Sequence, residues 1–279
     1  MTDLTGRVVL VSGAGRGIGR AICLAAVQAG ALVCGGSRTT SDLDEVAAAA
    51  AGRPGAFTGV RLDVTDLGSI EKFAETALER HGRIDGLVNN TGAGVTVPSL
   101  DISAEQFDSA FAFNTKSMFF CSQRCVKAMR DQGGGGSIVS ISSNFAGAGV
   151  GARSVYSAAK AAVESLTRSL AVEWAGLGVR VNAIAPGTVN TPGYQRARSA
   201  APEMVAGLIA STPSGRIAEP AEIAALTVFL LSDACAAMTG QVVTVDGGQS
   251  VPLAALGMRS HNAGVLTREQ FPATARGGR

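Results

Sequence analysis

Apolar positions along the chain fall into short runs rich in β-branched residues, separated by longer stretches in which they recur every three or four residues. The runs are VVLVS at 8–12, ALVCGG at 31–36, AFTGVRL at 56–62, IDGLVNN at 84–90, SIVSIS at 137–142, VRVNAI at 179–184 and QVVTVD at 241–246. Their length and composition predict strands, and the spacing between them predicts helices. IGRAICLAAVQAG closes on Gly30 as a C-cap, Asp66 caps SIEKFAETALERHG, and Ser103 with Glu105 opens a helix running to about Met129. Strands that are apolar almost throughout are buried on both faces, and a helix after each returns the chain to start the next one in parallel. The expectation is an α/β fold: a single doubly wound, Rossmann-type domain over residues 1–250, with a parallel sheet of about seven strands and helices on both faces.

Three stretches depart from the alternation. The glycines at 133–136 sit where a helix must turn into the strand SIVSIS, so they read as a turn and not as a linker. Residues 188–215, rich in Pro, Ser and Ala, form a lid-like insertion. Residues 251–279 have weak periodicity and read as a C-terminal extension, flexible or lying between subunits.

Composition narrows the function. Of 279 residues, 46% are hydrophobic, and 24 Lys and Arg against 22 Asp and Glu leave a net charge of +2 with no basic block. That balance gives no electrostatic case for nucleic acid or for a membrane surface and points to small-molecule partners. No apolar run approaches the roughly 20 residues of a membrane span, and MTDLTGR carries no leader signal, so a cytoplasmic location is expected. The five cysteines (Cys23, Cys34, Cys121, Cys125, Cys235) are scattered and read as core thiols; with only two histidines in the chain, no metal is expected.

The chemistry begins after the first strand. Ser12-Gly-Ala-Gly-Arg-Gly-Ile-Gly19 places Gly13, Gly17, Ile18 and Gly19 where a strand turns into a helix, and such a turn lets the backbone approach a pyrophosphate at the helix N-terminus. The residue ending the second strand selects the dinucleotide. A carboxylate there would accept from the ribose 2′-hydroxyl, whereas this chain has Ser37-Arg38-Thr39, with its first acid, Asp42, further on. Arg38 and Arg16 offer planar, always-charged donors to a 2′-phosphate, so NADP(H) is expected as the preferred cofactor, with NAD(H) the alternative. Asp63-Val64 and Asn89-Asn90-Thr91-Gly92 end the third and fourth strands, at the same sheet edge.

Tyr156 and Lys160, at i and i+4 of VYSAAKAAVESL, share a helix face. A nearby cation favours phenolate and lowers a phenol's pKa towards the useful range, making the tyrosine a proton donor and acceptor. Ser143 follows the strand SIVSIS, and Asn114 lies in the preceding long helix. With these motifs, Pro186-Gly187 and the closing TGQVVTVDGG at 239–248, the sequence resembles the short-chain dehydrogenase/reductase family over nearly all of residues 5–249, and within it the NADP-preferring carbonyl and 3-oxoacyl-type reductases.

The resemblance implies roles. Tyr156 is the acid-base group, Ser143 polarises the carbonyl, and Lys160 lowers the phenol's pKa and binds the nicotinamide ribose. Asn114 holds a water of a proton relay, Pro186, Gly187, Val189 and Thr191 position the nicotinamide, and Asn90 supports the central strand. It also implies a homo-oligomer, dimer or tetramer. Thr91 stands where the family has alanine, and Gly147 follows Ser143 by four residues and not the commoner three, which leaves Ser142 as an alternative to Ser143.

The implied reaction is hydride transfer between NADP(H) and a ketone or secondary alcohol. Two other readings stand beside it: an NAD-dependent dehydrogenase of a sugar, polyol or steroid alcohol, and a non-catalytic dinucleotide-binding regulator. The loops expected to enclose the substrate offer Val95, Val97, Phe145, Val150, Tyr194 and Met204, with Arg153, Arg196 and Arg198 as their charges, which suggests a neutral or partly apolar substrate.

Overall fold

In the computed structural model, residues 2–251 are described apart from 95 and 211, and at Met204 only the backbone is. The expected extension from residue 252 onward, Val95 and the Met204 side chain therefore lie outside the described residues. The strands are β1 (Val8–Ser12), β2 (Leu32–Ser37), β3 (Ala56–Arg61), β4 (Gly86–Asn89), β5 (Gly136–Ile141), β6 (Val179–Pro186) and β7 (Val242–Val245). They form one sheet in the order β3-β2-β1-β4-β5-β6-β7, with every pairing parallel. All seven fall within two residues of the runs read from the sequence. The chain moves outward from β1 to β3, then crosses back to β4, so a crevice opens at the carboxyl ends of β1 and β4.

Two separate cores show why the strands read as continuous apolar runs. Val9 and Val11 of β1 face one core with Ile22, Ile184, Ile223 and Leu230; their neighbours Val8 and Leu10 face the other with Phe73, Leu87, Met129 and Ile138. Each such side chain contributes about 1.5–3 kcal/mol by leaving water. The helices α1 (Gly17–Gln28), α2 (Thr40–Ala50) and α9 (Pro220–Leu231) cover the first face; α3 (Leu67–His81), α5 (Ser117–Asp131) and α6 (Ser154–Trp174) cover the second.

Asp66 caps α3, its Oδ1 accepting from the Gly68 N–H at 2.9 Å, and Gly82 ends that helix in the left-handed region at φ +74°. The glycines at 133–136 form a turn: Gly135 has φ +65°, and a Cβ there would lie 2.3 Å from the Gly178 carbonyl oxygen. The long helix expected from Ser103 is not continuous. Ser103 caps α4 (Ala104–Phe111) with Gln106, not Glu105, as its reciprocal partner, and a π-helical turn, Ala112–Lys116, intervenes before α5. The insertion at 188–215 folds largely as two short helices, α7 (Pro192–Ala200) and α8 (Pro202–Ala210).

Candidate active site

The glycine turn is built by contact. A Cβ on Gly19 would lie 2.0 Å from the Gly13 carbonyl oxygen and 2.5 Å from Asn90 Nδ2, so the first turn of α1 can press against the strand end only without a side chain there. Gly13 and Gly17 adopt φ +68° and +56°, which favours glycine at both. No side chain caps α1 and no acid occupies its first turn, which leaves its N-terminal N–H groups to an anionic ligand. Beside the turn lies a cleft of about 480 Å³ that includes Gly13, Arg16, Arg38, Val64, Asn90 and Gly92 in its walls. The donors, the close backbone and the cleft fit a dinucleotide.

Asn90 ties the crevice together: its N–H donates to Ser12 Oγ at 3.1 Å, and its Nδ2 donates to the Ser12 and Gly13 carbonyls, both at 3.1 Å. Asn89, expected at the cofactor, is turned away. Successive strand residues point to opposite faces, and its Nδ2 donates to Ser122 Oγ at 2.9 Å and Ser140 Oγ at 3.3 Å inside the helix-sheet layer. Ile18 likewise packs on the core, and Asp63 is occupied by its own turn, accepting from the Thr65 N–H at 3.0 Å and hydroxyl at 2.7 Å. Those two bonds, with Arg38 and Arg61 adding less, hold the Asp63 carboxyl below its ordinary range.

At the far end of the cleft, Arg16 and Arg38 are exposed, and neither joins an ion pair among the described residues. Arg38 Cζ sits 5.3 Å from the centroid of Phe113, a residue of the π turn. Ser37 Oγ accepts from the Thr39 N–H at 3.3 Å. One feature corrects the sequence reading, in which no acid competes with the arginines. The first turn of α2 folds Asp42 back over the glycine turn, where a Cβ on Gly15 would lie 2.6 Å from Asp42 Cβ and 3.1 Å from its Oδ2. A carboxylate therefore shares this end of the cleft with Arg16 and Arg38.

Tyr156 and Lys160 lie one turn apart on α6. Lys160 is 4% exposed, and its Nζ donates to the Ile141 carbonyl at 2.8 Å. A Cβ on Gly92 would lie 3.0 Å from Lys160 Nζ and 2.9 Å from Asn114 Oδ1, so lysine and asparagine converge on one bare backbone position. Asn114 reaches it from the π turn: its Nδ2 donates to the carbonyls of Ala93 at 3.0 Å and Ala110 at 2.8 Å, and its Oδ1 accepts from the Ala93 N–H at 3.3 Å. The π turn accommodates an extra residue and re-aims the side chains after it, a feature that hydrophobic spacing does not reveal.

The two serines diverge. Ser142 Oγ donates to Glu164 Oε1 at 2.9 Å and contacts the Lys160 carbonyl at 3.3 Å, which commits it to α6. Ser143 Oγ accepts from the Phe145 N–H at 3.2 Å and also acts on Tyr156. Burial pushes the Tyr156 phenol above its ordinary value, and Ser143 and Arg153 partly offset that. Burial also brings the Lys160 ammonium down to about 8. The expected depression of the phenol by Lys160 is thus absent in the protein alone: Nζ is engaged with a carbonyl and stands 6.0 Å from the ring centroid.

The segment after β6 approaches from above. The Gly187 N–H donates to the Val245 carbonyl at 3.0 Å, Val189 pairs with Ala218, and Thr191 caps α7 by accepting from the Tyr194 N–H at 3.3 Å. A Cβ on Gly17 would lie 3.4 Å from Thr191 Cγ2, so this segment, which starts at Pro186, returns to the glycine turn. Leu62, Ala93, Ser109, Ala110 and Phe113 are among the cleft residues that the sequence reading missed, and Asp42, noted there as a later acid, lies in the wall as well.

A family profile described as enoyl-(acyl carrier protein) reductase matches residues 13–250. The chain is 38% identical to the 3-oxoacyl-(acyl-carrier-protein) reductase of Thermotoga maritima over 245 residues, covering 88% of this chain and 98% of that relative. A crystal structure of levodione reductase superposes with TM-score 0.84 at 36% identity, covering 88% of this chain and 98% of its own. A putative NAD(P)-dependent gluconate 5-dehydrogenase from Beutenbergia cavernae, with bound NADP at low occupancy, superposes with TM-score 0.83 at 40% identity, covering 89% and 98%. The chain belongs to the short-chain dehydrogenase/reductase family, a family of NAD(P)(H)-dependent oxidoreductases acting on alcohol and carbonyl groups.

Proposed function

We propose that the protein is a ketone reductase that prefers NADP(H), able to run in reverse on a secondary alcohol, with Tyr156 as its acid-base group. The observation that carries the reading is the convergence of Lys160 Nζ and Asn114 Oδ1 on Gly92, beside Tyr156 and at the end of the nucleotide cleft. When bound, the nicotinamide supplies the hydride that adds to the carbonyl carbon. Tyr156 donates its phenolic proton to the carbonyl oxygen, Ser143 donates a hydrogen bond to that oxygen, and solvent returns a proton to the phenolate by way of Lys160 and Asn114. The net change is one ketone, one hydride and one proton to one alcohol.

Arg16 and Arg38, which join no ion pair among the described residues, support the preference for a 2′-phosphate. Asp42 supports the second reading, an NAD-dependent dehydrogenase, because its carboxylate repels a phosphate at the same end of the cleft. Titrating the protein with NADPH and NADH separates them: the first reading requires at least tenfold tighter NADPH, about 1.4 kcal/mol, and loss of that preference in Arg38→Asp. Tyr156→Phe should abolish turnover while leaving cofactor affinity within a few fold. A variant that keeps its rate removes Tyr156 from the mechanism. The apolar groove formed by Phe111, Phe119, Phe120 and Leu166 on α4, α5 and α6 supports a homo-oligomer, dimer or tetramer, formed through these helices and measurable by light scattering.

A further inference from the structure

Arg153 precedes Tyr156 by one helical turn and occupies the N-cap position of α6 without capping it. Its Cζ lies 6.0 Å from the centroid of the Tyr156 ring, and a Cβ on Gly94 would come within 2.7 Å of its Nη1. The guanidinium therefore lies between the acid-base tyrosine and the backbone that continues from Gly92. It is half-buried, and among the described residues it makes no ion pair and no side-chain hydrogen bond; nor does the first turn of α6 hold an acid. Four other half-buried arginines are engaged: Arg7 with Asp233, Arg124 with Glu71, Arg53 with the carbonyls of Leu24 and Ala49, and Arg180 with that of Ser232. Arg20 on α1 is half-buried and, among the described residues, uncommitted as well, so the place of Arg153 over the Tyr156 ring is what sets it apart. A guanidinium held part-way out of water, with all five of its N–H donors uncommitted, is costly to maintain unless something pairs with it.

We propose that Arg153 binds a carboxylate on the substrate, so that the carbonyl compound reduced at Tyr156 is a keto acid and its alcohol counterpart a hydroxy acid. This rests on the reading of Tyr156 as the acid-base group. The planar fork of the guanidinium matches a carboxylate with two parallel hydrogen bonds and fixes the orientation of the carbonyl relative to the phenol. The other cation over the ring, Lys160, is buried and has its Nζ on the Ile141 carbonyl, which leaves Arg153 as the uncommitted one, and a single free cation suits a monoanion better than a phosphate dianion. A keto acid departs from the expectation of a neutral or partly apolar substrate, because the position of one charge bears on recognition more than the composition of the surrounding loops. Arg153 also favours the phenolate of Tyr156, and a bound carboxylate would temper that effect during turnover.

The test is binding in the presence of saturating NADP⁺, where no ketone is reduced. Pyruvate, acetoacetate and levulinate, whose carboxylates stand progressively further from the ketone, are each compared with their methyl esters by calorimetric titration. Wild type should bind at least one acid ten or more times tighter than its ester. Arg153→Gln should bind acid and ester alike, and Arg153→Lys should retain part of the preference. The NADP⁺ affinity of each variant reports whether the cleft is folded; should Arg153→Gln fail that check, the wild-type comparison and Arg153→Lys carry the result. Equal or absent binding of acids and esters by wild type overturns the proposal, as does an acid preference that survives in Arg153→Gln. A role confined to tuning Tyr156 would instead shift the pH profile of ester reduction and create no acid preference. An acid preference that depends on Arg153, found with no turnover by NADPH or NADH, would leave carboxylate recognition standing and remove the oxidoreductase reading.

Discussion

At Lys160 the cost of burying a charge is directly legible as pH dependence. The folded ammonium titrates near 8 and the unfolded one near 10.5, so between these values the unfolded chain holds a proton that the folded chain lacks. Rising pH therefore favours folding across that window: the penalty is complete below about 8 and gone above about 10.5. Lys160→Met should accordingly be more stable than wild type near neutral pH, by up to about 3 kcal/mol, with the gap closing towards pH 10.5 in urea titrations. A constant gap would show that the lysine is not desolvated. Thr91 makes the opposite kind of case. Its hydroxyl is buried against the glycine turn without a hydrogen-bond partner among the described residues. Thr91→Val removes that unmet demand while keeping the shape, and should raise the unfolding free energy by about 1 kcal/mol. A loss of stability would mean that the hydroxyl has a partner. The placement of Tyr156 and Lys160 on one helix face and of Ser143 just after β5 was legible from spacing, whereas their roles came from the family resemblance. The direction of the phenol's shift was not legible, because it depends on how deeply α6 packs against β5. Nor was the place of Asp42, which needs the first turn of α2 to fold back across Gly15.

At the scale of elements, the central strands were legible because they carry side chains for two cores, which makes their sequences apolar almost throughout. The interruption of the α4–α5 helix was not legible, because a π turn changes the phase of the spacing without changing its composition. That turn sends two neighbouring side chains to different parts of the cleft: Phe113 to the end that holds Arg38, and Asn114 to Gly92 and Ala93. Asn114→Ala would leave the Ala93 N–H and the Ala93 and Ala110 carbonyls short of a partner, costing about 1–3 kcal/mol. The expected outcome is local as well as global. The Ala93 amide should lose hydrogen-exchange protection beyond the change in overall stability, while amides in the middle of α5 follow the global change alone. Equal loss at both sites would show that Asn114 supports the fold in general and not the loop that carries Gly92.

For the molecule as a whole, the sheet order opens a crevice at the carboxyl ends of β1 and β4, and the charges at its nucleotide-facing wall come from three neighbouring segments of the first βαβα stretch. Arg16 arrives with the glycine turn, Arg38 at the end of β2 and Asp42 from α2, all in the wall of the same cleft. The summed field, more than any one contact, sets the preference between a dinucleotide with a 2′-phosphate and one without. Asp42→Asn removes the one negative term among the three. NADPH should then bind two to ten times tighter, of the order expected for charges a few ångströms apart near a protein surface, whereas NADH should change little because it lacks the phosphate that senses the field. Ionic strength supplies the independent check. Raising salt from about 0.05 to 0.5 M shortens the screening distance from more than about 10 Å to less than about 8 Å, so the NADPH-to-NADH preference should shrink in wild type and shrink further in Asp42→Asn, where more of it is electrostatic attraction. A preference insensitive to both salt and Asp42 would have to come from shape at the ribose. In that case Ser37 and Thr39, not the arginines, would be the residues to vary next.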